Sequence, residues 1–481
     1  MDDPSTQTTK ILTHLSKTLS LSPPQSTHPP ATLTGLPTSH TGTAYLFLSV
    51  SAHHPRLQIH SYPAIHWARA YISNIPTPSA PISLPSSTQE TARDTPVLGL
   101  LSDDLAGPAI RACVTKDLLH VRKFLAILSP VLEYIVSSNA NANSSSSSAP
   151  AINSSTAMDL DAPEPTTTTT PPLSSCLLHG LAGTLYLLRL IRHWVPSSAP
   201  LVCGAIVHVS EYLLGPHPWT CPSRLPSSSQ PPHSSPPPPP EDTYGTTHGD
   251  LGIITQLVLT SPPLAASPSL ISRLTALLDL QSPNGDWPGP SPTSPSQPPR
   301  SDVQQSPDAP PTPAQQEPSE TAAAAASQPR SRGFASGPQG LVISLLSLRP
   351  FFPSLHDRID AAVEKAREFL WARAVDPEGP TEEVNLFYGS LSIALTFPEG
   401  PKRTHLLTQQ PPSPNQPLSP PTNTNTTTTS QKPSTPSPSS SSTPTTPPTA
   451  GSVTTAPHPG SAYLHAVAER DMPRMIFYND I

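Results

Sequence analysis

Apolar residues recur at three- and four-residue spacing through residues 355–373. Leu355, Ile359, Ala362, Val363, Ala366, Phe369 and Leu370 share one face, while Asp357, Arg358, Glu364, Lys365 and Arg367 fill the other. That period predicts a helix with one packed side and one wet side. Residues 116–136 (KDLLHVRKFLAILSPVLEYIV) repeat the pattern, and Pro130 inside them predicts a kink or a break. No comparable run alternates with period two, so the spacing predicts an all-α fold.

A second kind of segment is apolar nearly all round, and each copy follows a glycine cassette. The copies read CLLHGLAGTLYLLRL at 176–190, THGDLGIITQLVL at 247–259, GFASGPQGLVISLL at 333–346 and NLFYGSLSIALTF at 385–397. Weaker copies lie upstream, HTGTAYLFL at 40–48 and DDLAGPAIRACV at 103–114. The shared core is G-x-x-G: Gly180/Gly183, Gly249/Gly252 and Gly337/Gly340, with Ser392 in second place after Gly389. The first glycine is expected to adopt a turn conformation ahead of a helix, and the second to let neighbouring helices approach. Helices apolar all round belong inside, and amphipathic ones such as 355–373 belong outside. Six such hairpins predict an α/α toroid. The terminal segment AYLHAVAERDMPRMIFYNDI predicts at most a short helix at 462–470 with an extended tail, which leaves a seventh hairpin in question.

Composition changes the picture between these segments. Proline is 71 of 481 residues, roughly three times ordinary usage. Runs such as SSSSS at 144–148, TTTTT at 166–170, PPPPP at 236–240 and AAAAA at 322–326 lack the apolar area to offset ordering entropy. Disordered insertions are therefore expected at about 76–95, 138–175, 222–243 and 283–332, with a Pro/Ser/Thr-rich stretch at 399–460. They divide the chain into a partly helical segment 1–39, an interrupted toroid 40–398, that stretch, and a C-terminal helix and tail 461–481. About 290 residues remain for one core, and long loops are tolerated because closure entropy grows slowly with length. A net charge of −7 advertises neither nucleic acid nor an anionic membrane. Leu177–Trp194, the most apolar stretch, carries His179, Arg189, Arg192 and His193 and is too polar for a membrane span. The acidic start MDDPSTQTTK lacks an apolar signal core, and the four cysteines form no C-x-x-C pair, so a reduced cytoplasmic protein is expected.

At the cassettes the chain resembles the lanthionine synthetase C-like (LanC-like) family. His179-Gly180-Leu181-Ala182-Gly183 is similar to that family's H/Y-G-x-A-G hairpin, and His248-Gly249-Asp250-Leu251-Gly252-Ile253 to its H-G-x-x-G-I hairpin. Leu280–Pro288 (LQSPNGDWP) resembles its F-P-S-G-N-W/Y-P stretch, in the right order once 289–330 is set aside. The resemblance covers about residues 40–398. It implies a seven-hairpin α/α toroid that adds a thiol, from glutathione or a peptide cysteine, to dehydroamino acids. It also implies a zinc ion that makes the thiolate and an acid that protonates the enolate. The family acid/base histidine corresponds to His248, and Arg330 and Arg332 flank the place of an active-site arginine. Peripheral membrane association is a further implication.

The sequence departs from the family at the metal. Ala335 stands where the first zinc cysteine belongs, and Phe387 and Tyr388 stand where a Cys-His pair belongs. None of these side chains replaces a thiolate or an imidazole, so no cofactor is expected. The expected function is a zinc-less pseudoenzyme that binds a peptide or glutathione-like ligand. Two enzyme alternatives stand beside it: thiol addition with a relocated metal, and a glycoside hydrolase-like toroid. For the first, Cys176, His179, Cys203 and His208 have ligand types without a recognised spacing; for the second, Asp103-Asp104 is the adjacent acid pair. The same two acids open a predicted helix and suit N-caps. Asp286 and Trp287 either line a pocket or follow from an N-G-D turn. The proline runs are candidate docking segments for protein partners.

Overall fold

The computed structural model describes residues 4–26, 35–76, 80–84, 96–145, 172–221, 244–287, 333–376, 385–387, 389–408, 452–468, 470 and 472–481. These residues are mostly helical. Strand among them is confined to one antiparallel pairing, Gln58–Ile59 with Tyr62–Pro63. The proline-rich tracts at 85–95, 146–171, 222–243, 288–332 and 409–451 lie outside the described residues, and so do Arg330, Arg332 and Tyr388.

Helices of two kinds alternate. The even ones are α2 (His40–His53), α4 (Asp103–Thr115), α6 (Leu181–Trp194), α8 (Asp250–Thr260), α10 (Pro338–Leu348), α12 (Ser390–Thr396) and α14 (Pro457–Ala466). They are buried on nearly every side, α2 from His40 to Val50 without interruption. The odd ones are α1 (Pro4–Leu21), α3 (Ala64–Ser73), α5 (Leu118–Ser145), α7 (Ala199–Leu214), α9 (Pro268–Asp279), α11 (His356–Ala374) and α13 (Pro401–Thr408). They bury one stripe; in α11 it is Ile359, Ala362, Val363, Ala366 and Leu370, as the spacing predicts. Each odd helix from α3 to α13 packs against the even helix before it, and α1 packs against α14. The even helices also touch one another in order, α2 on α4, α6, α8, α10, α12 and α14 in turn, and α14 touches α2 again.

The loops that enter the even helices are hydrogen-bonded in the same order. Leu36 N–H donates to Leu100 O (2.8 Å), Leu100 N–H to Leu177 O (3.2 Å) and Leu177 N–H to Thr247 O (3.0 Å). Thr246 N–H donates to Ala335 O (2.9 Å), Phe334 N–H to Phe387 O and Leu386 N–H to Thr454 O (3.2 Å). Thr454 N–H donates to Pro37 O (3.4 Å), which returns the series to the loop where it began.

The glycines of the cassettes work by absence of volume rather than by special torsions. Gly180, Gly249, Gly337 and Gly389 cap their helices with φ of −136°, −104°, −99° and −118°, values open to any residue. A Cβ on Gly180 would meet Ser174 O at 2.3 Å, and one on Gly249 would meet Gly245 N at 2.2 Å. At the second glycine the obstacle is the hairpin's own entering loop. A Cβ on Gly183 would lie 2.0 Å from Leu177 O, on Gly252 1.9 Å from Thr246 O, and on Gly340 2.0 Å from Phe334 O. The neighbouring hairpin comes next, with Gly99 Cα at 2.7 Å from the Gly183 position.

Several sequence expectations are corrected. Pro130 neither breaks nor ends α5, which runs from Leu118 to Ser145; burial of Val121, Phe124, Leu128, Val131 and Ile135 outweighs the lost hydrogen bond. Parts of the stretches assigned by composition to insertions are helical or buried. Residues 138–145 are helical, Leu173, Ser174 and Ser175 are buried, and α13 and the first turn of α14 fall inside 399–460. The last helix spans 457–466 instead of 462–470, because Pro457 and Pro459 sit in its first turn, where proline is tolerated. The stretch Pro196–Leu214, not Leu177–Trp194, is the one helix among the described residues long and apolar enough to cross a membrane. Its face Val202, Ala205, Ile206, Val209, Tyr212 and Leu213 is buried, and α7 packs on α5 and α6.

The tail after α14 is not loose. Met475, Ile476, Phe477 and Tyr478 are buried. Arg189 and Gln256 both donate to Tyr478 O (2.6 and 3.1 Å), Tyr478 shares a hydroxyl contact with Ser344 (2.6 Å), and Asn479 donates to Ser347 Oγ (2.6 Å). Tyr45 and Tyr186 donate to the two oxygens of Asp480 (2.6 and 3.0 Å). Burial raises the Asp480 pKa, and the two tyrosine hydroxyls and Arg189 oppose that shift. The tail therefore ties together α2, α6, α8 and α10.

Candidate functional site

Three loop segments meet beside α6 and α8. Ser175 N–H donates to Thr220 O (2.8 Å), and Leu177 N–H donates to Thr247 O (3.0 Å). Thr220 N–H donates to Ser175 Oγ (3.3 Å), and Thr220 Oγ1 to Leu173 O (3.1 Å). With these backbones in register, the flanking residues Cys176, Cys221 and His248 converge. Cys221 Sγ lies 3.2 Å from Cys176 Sγ and 3.1 Å from His248 Nδ1. All three ligand-type atoms fall within 4.8 Å of one another. Both cysteines are buried and His248 is half-buried. The His179 ring stacks on His248 with centroids 5.8 Å apart, and the His179 backbone N–H donates to Cys176 Sγ (3.4 Å).

Two groups of the cluster, Cys176 and His179, are disfavoured in their charged forms. The hydrogen bond with Cys221, followed by burial, pushes the Cys176 thiol well above the ordinary range. Burial, followed by the charge of His248, lowers His179.

The other sequence candidates separate. Cys203 is exposed on α7, and His208 faces Glu211 on the same helix (3.9 Å), so neither joins Cys176 and His179. Cys221 was the residue missing from that set; it stands in no cassette and is 45 residues from Cys176 in sequence. Asp103 and Asp104 follow the N-cap Ser102, whose hydroxyl accepts from Leu105 N–H (3.4 Å). Successive helix residues diverge by about 100°, so the two carboxyls do not face a common substrate. Burial raises Asp103 to about 6, whereas Asp104 is exposed. Asp286 closes an Asn284–Asp286 turn (3.1 Å) and accepts from Trp287 N–H (2.9 Å). Trp287 is buried and donates to Leu277 O (2.9 Å), which makes it a core anchor rather than a pocket wall.

Two of the positions at which the resemblance implies zinc ligands, Ala335 and Phe387, offer no donor side chain. Ala335 contributes a backbone carbonyl that already accepts from Thr246 and Thr247 (2.9 and 3.3 Å). Phe387 is buried with its ring 5.3 Å from that of Phe334, and Phe334 in turn meets Tyr478 at 5.1 Å. A methyl and a phenyl group offer no lone pair. A cleft of about 80 Å³ lies elsewhere, lined by Gln7, Lys10, Arg403 and His465 among others, away from His179 and His248.

No protein-family model matches this sequence, and no curated protein matches it.

Proposed function

We propose that the chain is a LanC-like α/α toroid of seven helical hairpins that binds a peptide or thiol ligand in the cytoplasm without forming thioethers. In this arrangement the even helices are the inner ring and the odd helices the outer one, with α1 and α14 completing the seventh pair. The ordered contacts from α2 through α14 and back to α2, and the loop hydrogen bonds that follow the same order, support it. The functional half rests on one observation. Where the family reaction needs thiolate and imidazole donors, this chain has Ala335 and a Phe387 ring packed against Phe334. The thiol-adding step has no seat for its metal there. What remains at the starts of α6 and α8 is a pair of half-buried imidazoles, His179 and His248, able to hydrogen-bond a ligand carboxylate or amide.

A titration with reduced glutathione, followed by saturation-transfer NMR, tests this. Saturable binding is expected, weakened in His179→Ala with the melting profile unchanged. Absence of saturable binding, or binding indifferent to His179→Ala, contradicts the ligand assignment.

A further inference from the structure

We propose that Cys176, Cys221 and His248 form a zinc site that clamps together the loop entering α6, the segment leaving α7 and the loop entering α8. Zinc is the cation that a Cys₂His donor set suits, with one position left for solvent. The donors come from three separate segments yet lie within 4.8 Å of one another, with both sulfurs buried. Tetrahedral zinc, with Zn–S near 2.3 Å and Zn–N near 2.0 Å, separates its donors by roughly 3.5–3.8 Å. The contacts of 3.2 Å between sulfurs and 3.1 Å from sulfur to imidazole are therefore about half an ångström from accepting the ion.

The surroundings suit ligation. The His179 backbone N–H (3.4 Å) and the Ser174 hydroxyl (3.6 Å) both contact Cys176 Sγ, the kind of support that outer-shell donors give a metal thiolate. The backbone bonds Ser175–Thr220 and Leu177–Thr247 fix the three segments in register before any ion arrives. The clamp has a mechanical purpose. Fixing Cys221 holds the chain where the proline-rich sequence 222–243 begins. The site uses none of the residues at the metal positions of the resembled family, although Thr247, next to His248, donates its N–H to Ala335 O (3.3 Å).

The test uses the full chain, reduced, loaded with zinc and dialysed. About one zinc per chain is expected by elemental analysis, and cobalt in its place is expected to show thiolate-to-metal charge-transfer absorption. Chelation is expected to lower the melting temperature. Cys221→Ser and His248→Ala should each abolish retention, while Cys203→Ser, an exposed position on α7, should keep it. The cobalt spectrum of the unmodified chain decides the matter if a variant fails to fold. Cobalt without thiolate bands, zinc retained equally by Cys221→Ser, or a reduced chain that keeps no metal would overturn the proposal. Metal retained without glutathione binding would sink only the ligand assignment above.

Discussion

A chain ended after Arg474 is expected not to fold. The seven residues removed include Met475, Ile476, Phe477 and Tyr478, all buried. Burying side chains of this size contributes about 1.5–3 kcal/mol each, and a whole domain is stable by only about 5–15 kcal/mol. The truncation also strips partners from groups that stay inside. Arg189 and Gln256 lose Tyr478 O, and Tyr45 and Tyr186 lose Asp480. Each buried polar group left alone costs roughly 1–3 kcal/mol more. Burial has already drawn the Arg189 pKa down to about 10, so this guanidinium has little tolerance for losing an acceptor. Soluble yield and a circular-dichroism melt of the truncated chain are the measurements. Loss of the cooperative transition is expected, and a near-native melt would mean that the tail is an appendage. Tyr478→Phe, which loses the hydroxyl contacts with Ser344 and Thr255, should cost about 1–3 kcal/mol and still fold.

Gly252→Ala and Gly204→Ala should change stability in opposite directions although both lie inside helices. A Cβ at Gly252 meets Thr246 O at 1.9 Å, a backbone atom that cannot rotate aside. Thr246 is itself held to Ala335 O, so α8 must shift against the loop series. Overpacking in a tight site costs about 1–3 kcal/mol, and a backbone obstacle places Gly252→Ala at the upper end. At Gly204 on α7 nothing lies within 4 Å. There alanine removes unfolded-state freedom and gains helix propensity, a stabilisation of about 0.4–1 kcal/mol. Denaturant midpoints of the two variants decide this. Similar shifts in both would mean that the second glycine of the cassette is not a packing position.

The helices were legible wherever one physical rule acted alone. The stripe of α11 followed from Ile359, Ala362, Val363, Ala366 and Leu370 without any need of partners. The buried even helices followed from all-round apolar runs after a glycine. Composition misled where buried contacts recruit polar residues. Ser452 and Thr454 look like filler, yet both hydroxyls donate to Pro37 O at 3.0 Å, across more than 400 residues of sequence. The same distance hid the seventh pair, because α1 and α14 sit at opposite ends of the chain and share no local pattern. At the candidate site His179 and His248 were legible from their cassettes. Cys221 was not, since its neighbours Trp219 and Thr220 carry no motif and its role emerges only when Thr220 pairs with Ser175.

Under the proposed function, this chain binds a ligand without turning it over. The direct measurement is mass spectrometry of a dehydroalanine-containing peptide incubated with glutathione and the zinc-loaded chain. No glutathione adduct beyond the chain-free control is expected, with Ala335 and Phe387 standing where the reaction's metal donors belong. Adduct formation that rises with the concentration of the chain would overturn the proposed function and make the protein an enzyme.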